Sequence, residues 1–524
     1  MKKPAKFNFA PLFNLVKSLS MSERIYFKKF TSANTSKDDK ESVMLFNALE
    51  GMNVFDQQKI KAVFIEENLV AKINLTGFYL NYQLMGILRS YHSTISIGAE
   101  LKDSLRDMEL LYNKGHYVQC KKLLEKAKKK ASHYERLDRV IELLEWERKL
   151  VSKDIGIEHQ EKFMRKIFDE LGEVLEKKLN RYQFEHCFTI KYSMIKRYNI
   201  FRSESDYKRW KKLTDTSIFL KGGKPLTPTA EIYHHFINSM DYFVKGNMHK
   251  VFSIVQNRFE ALEKMPDIIK DSPHQYITVL SNIASLRASL SIIGTTNYKE
   301  NKKIFFNTLN IIKKIDANTT ELETRIFANI SIHEIGFHIN TGDFIIASNL
   351  SEHWEKEMIK RNIKLGKCSE LSFLYYSSYA HFASGKHFLA HQSINQLLKS
   401  NYSETRIDMQ CYAMILNLML LFDIGNIKDM KTALVDTEKF IIKKDRLYRI
   451  EKTIIELFKA LIKKKVDANA IKKTFIKVKE KLMLSKKEKY AANFDEFDHF
   501  LWWVEGKIGG KTMTELAKAC LQTK

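Results

Sequence analysis

Six prolines, at positions 4, 11, 225, 228, 266 and 273, constrain how this 524-residue chain folds more than any other feature. None falls between 12 and 224, and none after 273. Proline inside a helix removes a hydrogen bond and clashes with the preceding turn, so tracts this long without it favour continuous helix–turn–helix. All-β or α/β chains carry more Pro, Gly and Val-rich runs. The expected class is all-α. One core cannot serve the whole length, since single cores stop growing near ~250–300 residues, whereas a repeat array grows by stacking. A hydrophobic fraction of 44% with 12% aromatics is ample for a packed interior.

Glycine supplies the punctuation that proline does not. In Leu110–Ala131, LLYNKGHYVQCKKLLEKAKKKA, Gly115 is followed by Tyr117 at +2, Cys120 at +5, Leu124 at +9 and Ala127 at +12. After Gly246 come Met248, Val251, Val255 and then Arg258; after Gly342, Phe344 and Ala347. Gly385 is followed by His387, Ala390, Ile394 and Leu397, and Gly425 by Ile427, Met430 and Leu434. A glycine takes the positive φ that ends one helix. The +2 side chain is expected to plug the corner, while +5, +9 and +12 form one stripe of the returning helix. Gly246, Gly294, Gly342, Gly385 and Gly425 lie 48, 48, 43 and 40 residues apart, with Gly294 a looser member. Asp467 and Gly506 continue the series, and the interval from Gly115 to Gly246 has room for about three units, two of them without the glycine. A period of this size signals a helical solenoid.

The stretch Leu110–Ala131 resembles a tetratricopeptide repeat in its Gly-x-aromatic turn, small +5, large +9 and Ala at +12. Ser132 stands where that family closes with proline, and the spacing exceeds its ~34 residues. The resemblance therefore implies long, degenerate repeats over 101–524, and the whole chain is similar to uncharacterised bacterial helical-repeat proteins. The expected architecture is a right-handed α-solenoid of antiparallel helix pairs with an N-terminal helical cap domain.

Residues 1–100 form that cap. Ser20 and Glu23 have capping-box spacing before an apolar stripe of Ile25, Tyr26, Phe27 and Phe30. Thr31–Lys40 reads as a loop, and helical patterning resumes over Ser42–Leu49, Gln57–Glu67 and Phe78–Ile97. A first repeat segment, 101–220, includes Ile157–Asn199, read as two long helices. Two Gly and two Pro within residues 221–228 mark a boundary, with a helix restarting near Thr229. The regular array occupies 229–524.

The formal charge of +25 rests on 69 Lys against 18 Arg. Lysines on solvated helix faces account for much of it, since sites built for phosphates favour Arg forks. Five cysteines, at 120, 187, 368, 411 and 520, share no metal or redox spacing and suit a reducing cytoplasm. The N-terminal stretch lacks the apolar core of a signal peptide. The longest strongly apolar run, Met414–Phe422, contains Asn417 and is too short for a membrane span.

Several motifs approach a chemistry without reaching it. Gly506 to Gly510-Lys511-Thr512 leaves three intervening residues where a P-loop needs four, so a turn is the expected reading. His333 and His338 are five apart, whereas zinc ligands on one helix face are four apart. His387 and His391 have the right spacing, but no third ligand stands nearby. His234-His235 shows no nucleophile–base arrangement. No metal and no cofactor are expected. Two basic runs, Lys121–Lys130 and Lys463–Lys489, offer a binding face through Lys121, Lys128, Lys129, Lys463, Lys464, Lys472, Lys473 and Lys477.

The expected function is a non-catalytic scaffold or adaptor that holds a partner segment in the groove lined by the first helix of each pair. An acidic protein partner fits the charge. Salt-sensitive nucleic-acid binding is the alternative, and an enzyme without a recognisable motif is the third reading.

Overall fold

The computed structural model describes residues 7–32, 37–67, 69–93, 96–154, 157–214, 223–292, 298–317, 319–402, 404–463, 468–486 and 496–523. Among them every regular element is helical. The chain divides into two compact units, Met1–Leu175 and Glu176–Lys524. The first holds α1 (Phe9–Ser18), α2 (Met21–Ser32), α3 (Lys37–Gly51), α4 (Gln57–Glu66), α5 (Ile73–Tyr91), α6 (Ile97–Asn113), α7 (Tyr117–His133) and α8 (Leu137–Asp154). One helix, α9 (Ile157–Tyr198), runs through the boundary. The second unit continues with α10 (Glu204–Thr214), α11 (Pro228–Phe243), α12 (Met248–Glu263), α13 (Pro266–Asp271), α14 (Pro273–Ile292) and α15 (Tyr298–Lys313). Next come α16 (Thr320–Asn340), α17 (Phe344–Lys360), α18 (Lys367–Ala383), α19 (His387–Lys399) and α20 (Ile407–Asp423). It ends with α21 (Ile427–Lys443), α22 (Arg449–Lys463), α23 (Ala468–Ser485), α24 (Phe497–Gly509) and α25 (Met513–Thr523).

In the first unit, Phe9, Leu12, Phe13 and Val16 fall at i, i+3, i+4 and i+7 of α1 and enter a core shared by α1–α5. The capping box forms as read: Ser20 N–H donates to Glu23 Oε2 at 2.6 Å, and Glu23 N–H to Ser20 Oγ at 3.3 Å. The expected loop over 31–40 is shorter, because α2 runs to Ser32 and α3 begins at Lys37. Asp38 and Asp39 in the first turn of α3 complement the helix dipole there. The helix expected over 78–97 is instead α5, which starts at Ile73 and ends at Tyr91, while Ser96 caps α6 through Ala99 N–H at 3.1 Å.

The glycine turns are built alike. Gly115, Gly246, Gly342, Gly385 and Gly425 all have positive φ, from 73° to 81°. Each glycine N–H donates to the carbonyl three residues back and the next N–H to the carbonyl five back, all ten bonds between 2.8 and 3.1 Å. The returning helix begins at the +2 residue every time, at Tyr117, Met248, Phe344, His387 and Ile427. At +5, Cys120, Val251, Ala347, Ala390 and Met430 are buried, and at +9 so are Leu124, Val255, Ser351, Ile394 and Leu434. The corner-plug expectation holds less well at +2. Phe344 is fully buried, Tyr117 packs edge-on against Tyr112, and Ile427 is exposed.

Consecutive helices pack in pairs, as a helical repeat does, and first helices also touch across pairs: α14 with α16, α16 with α18, and α18 with α20. Three of the turns that lead from one pair to the next use the same hydrogen-bond pattern without glycine. Glu135, Asn362 and Asp445 take φ of 49° to 55°, and Arg136, Ile363 and Arg446 N–H donate five residues back at 2.8 to 2.9 Å.

Three expectations about spacing change. The stretch Ile157–Asn199 holds one helix, α9 (Ile157–Tyr198), of 42 residues, so the interval between Gly115 and Gly246 does not hold three helix pairs. Gly506 lies inside α24, and Gly510, with φ of 69°, makes the turn. Gly294 and Asp467 lie outside the described residues. The helix restart expected near Thr229 is α11: Thr227 Oγ1 accepts from Ala230 N–H at 3.1 Å, and Pro228 opens the helix, whereas residues 221 and 222 of that stretch lie outside the described residues.

One turn is special. A Cβ on Gly342 would stand 2.6 Å from Ala517 Cβ on α25, whereas one on Gly385 meets nothing within 4 Å. Gly385→Ala is expected to cost only the left-handed backbone, about 1–2 kcal/mol. Gly342→Ala adds displacement of α25 and is expected to cost clearly more. Urea midpoints of the two variants compare them directly; equal losses would show that α25 does not rest on this turn.

Candidate functional site

The first-helix side of the second unit is where the groove was expected, and two segments of the same chain lie against it. From the C-terminal end, α24 lays Phe497, Phe500, Trp502, Trp503 and Val504 into the core of α18, α20 and α22. Trp503 stacks near Phe458 at 5.8 Å between centroids and donates its indole N–H to Asp423 at 3.2 Å. Lys507 also reaches Asp423, at 2.8 Å. His499 stacks on Tyr379 at 4.6 Å and hydrogen-bonds Glu496. Burial first, and Glu496 second, push the Tyr375 and Tyr379 hydroxyls well above the usual phenol range.

From the other side comes the end of α9. The Arg406 N–H donates to Lys196 O at 2.7 Å, Arg446 Nη2 to Tyr198 O at 3.1 Å, and Arg197 pairs with Glu404 at 2.7 Å. Just beyond α9, Arg202 forms a bidentate pair with Glu451 at 2.8 and 3.2 Å, both side chains 3% exposed. Asp206 accepts from Arg202 N–H at 3.0 Å and from the Tyr448 hydroxyl at 3.0 Å. Burial opposes the charge of Asp408, and the Arg406 guanidinium at 2.7 Å outweighs it, holding that carboxyl below the ordinary range. The Arg202–Glu451 pair and the Asp408 carboxylate are buried, and buried ionic contacts of this kind suit fixing an arrangement of helices.

The motif residues fall into structural places. Thr512 caps α25, its N–H and hydroxyl both donating to Glu515 Oε2, at 2.8 and 2.9 Å. His333 Nε2 meets Ser281 Oγ at 2.7 Å, while His338 approaches Asp343 at 3.8 Å, so the two histidines serve different neighbours. Burial lowers His333 to about 4. His391 pairs with Asn395, His387 tilts against Phe382, and His234 pairs with Asn238. Among the described residues no three His, Cys, Asp or Glu side chains converge into a group able to hold a metal ion.

The proposed basic residues separate into two kinds. Lys128 is held between Glu147 at 2.6 Å and Glu170 at 2.7 Å beside an open cleft of about 240 Å³, so it is not a free cation; Lys129 beside it is exposed, as is Lys121, which has a partner of its own. Lys472, Lys473 and Lys477 are exposed on α23 and Lys463 at the end of α22, whereas Lys464 lies outside the described residues. On α23 the exposed Ile476 lies among Lys472, Lys473 and Lys477, and Met483 and Leu484 are exposed farther along the helix. The second helix α21 repeats the mixture, with Val435 and Ile442 among Lys428, Lys431, Lys439 and Lys443. On α19, Phe388 is 81% exposed.

Two features escaped sequence reasoning. The Arg202–Glu451 pair joins positions 249 apart and has no local signature. The burial of α24 did have one, since FDHFLWW puts aromatics on every side of the helix, which suits a helix enclosed all round. No described helix is long and apolar enough to cross a membrane. Compared with protein-family models, with curated proteins and with solved structures, the chain matches none.

Proposed function

We propose that this chain is a non-catalytic interaction scaffold, a right-handed tetratricopeptide-like solenoid behind an N-terminal helical cap. The observation that carries the reading is the turn repeated five times with a returning helix two residues later, a geometry that lays out successive helix faces for a partner. The partner face differs from the first expectation. With α24 and the end of α9 lying against the first helices, the second helices α21 and α23 keep exposed outward faces among the described residues. On α21 and α23 these carry large apolar side chains among exposed lysines. That chemistry fits a protein segment with apolar anchors flanked by Asp and Glu. Five free cysteines are in keeping with a cytoplasmic setting.

The same exposed lysines support a second reading, binding to nucleic-acid phosphates. One experiment separates the two. The full chain is used as bait with and without nuclease, alongside the variant Lys472→Glu/Lys473→Glu/Lys477→Glu. A partner that survives nuclease and is lost in the variant supports the scaffold. Recovery that disappears with nuclease, and falls steeply with salt, favours nucleic acid. A partner retained by the variant moves the interface away from α23.

A further inference from the structure

Helix α5 carries no charged side chain from Ile73 to Leu88, in a chain where 28% of residues are charged. Its buried face, with Leu80, Leu84 and Ile87, enters the core of the first unit. On the opposite side Leu75, Phe78, Tyr82 and Met85 are 66, 51, 74 and 42% exposed. Their 3-4-3 spacing is that of a seam between two helices. The rotation that turns them outward is held on both flanks. Tyr79 donates to Asp39 at 3.0 Å, Ser42 to Gln83 at 2.8 Å, and Phe7 N–H to Asn74 at 3.2 Å. Phe7 also meets Phe78 edge-on at 4.8 Å between centroids.

We propose that this stripe is a two-fold interface with a second copy of the chain, α5 packing antiparallel on α5. Charge and area both argue for that occupant. The chain is formally +25, so two copies repel except where a face lacks charge. Arg89, exposed one turn beyond Met85, is the one charge on this line of α5. Parallel pairing would set Arg89 against Arg89. A two-fold centred at position 80 instead places Leu75 against Met85 and Phe78 against Tyr82. It separates the two Arg89 residues by about 27 Å, at 1.5 Å per residue. Each Arg89 then points toward the exposed Asp38 of the other copy, which with Glu41 raises the hold of Lys72 on its proton, Glu41 acting first. Four large side chains, about half exposed, present roughly 400 Å² per copy. A standard interface buries about 800 Å² per partner, a little over half of it apolar, so the stripe supplies the apolar centre and its polar margins the rest.

The pairing stands apart from the scaffold reading, which uses other helices. Interfaces of this size hold at micromolar concentration or below, so the full chain at about 50 μM is expected to sediment as a dimer. Tyr82→Glu sets like charges together at the seam and is expected to weaken association at least about 100-fold, with the helical circular-dichroism signal unchanged. Met85→Lys makes the same test should Tyr82→Glu fold poorly. Phe388→Glu, at an exposed position on α19, is expected to leave the dimer intact. Mixed Leu75→Cys and Met85→Cys chains are expected to crosslink to each other faster than either does to itself. A monomeric wild type overturns the proposal and leaves the stripe to a different apolar partner. A dimer that survives both stripe variants, an equal loss in Phe388→Glu, or faster self-crosslinking overturns it as well.

Discussion

Glu451→Ala is expected to destabilise the 176–524 unit by about 3–5 kcal/mol, because it strands a buried guanidinium. Arg202 and Glu451 are each 3% exposed and meet through two parallel hydrogen bonds at 2.8 and 3.2 Å. Burial alone would weaken the charge on Arg202; Glu451 more than offsets it, so this guanidinium holds its proton more tightly than usual. The Tyr448 ring lies 4.9 Å from the guanidinium and cannot substitute for a carboxylate, being worth about 2 kcal/mol at best. Replacing both partners, as Arg202→Met with Glu451→Leu, is expected to recover most of the loss, since apolar groups of similar volume avoid the desolvation cost altogether. Urea unfolding of the two singles and the double closes the cycle. A loss under about 1 kcal/mol in Glu451→Ala would mean that water reaches the pair.

Arg258→Leu is expected to do the opposite and stabilise the fold, by about 2 kcal/mol or more. Arg258 is 1% exposed, and its Nε, Nη1 and Nη2 atoms have no hydrogen-bond partner among the described residues. Burial drives its proton affinity well down, yet a guanidinium stays charged in proteins, so the cost falls on the folded state. The Phe236 ring, 3.0 Å from the guanidinium carbon to its centroid, compensates only in part. The position is +12 from Gly246, where the other turns place Ala127, Trp354, Leu397 and Thr437, so an aliphatic side chain suits the site. A higher urea midpoint with an unchanged slope is the expected result. A drop of about 1 kcal/mol or more would show that the guanidinium is better compensated in the folded state than its contacts suggest.

The turns were legible because their determinants are local. A glycine at positive φ, a small or apolar +5 and an apolar +9 are all set within ten residues, and Gly115, Gly385 and Gly425 reveal them without any distant contact. Glu135, Asn362 and Asp445 make equivalent turns, but only packing on both sides forces a residue with a Cβ into that region, so no single position betrays it. The length of α9 was misread for a related reason. Its apolar face continues smoothly past Gly172, and a glycine in open helix surface weakens a helix without ending it.

The candidate site was legible only in its exposed half. Lysines at 472, 473 and 477 could be placed on a helix face by periodicity, since α23 buries Phe475, Val478 and Leu482 on the opposite one. Lys128 could not be separated from them, because its carboxylate partners stand on α8 and α9.

From the sequence alone came the all-α class, the helix pairs and the positions of five glycine turns, because helix period and left-handed glycine act over a few residues. Tertiary structure alone decided that α24 and the end of α9 lie against the first helices, and that Arg202 meets Glu451. Those choices depend on which surfaces meet across hundreds of residues, where burial turns a weak surface charge pair into a strong constraint and leaves the Arg258 guanidinium without a hydrogen-bond partner among the described residues.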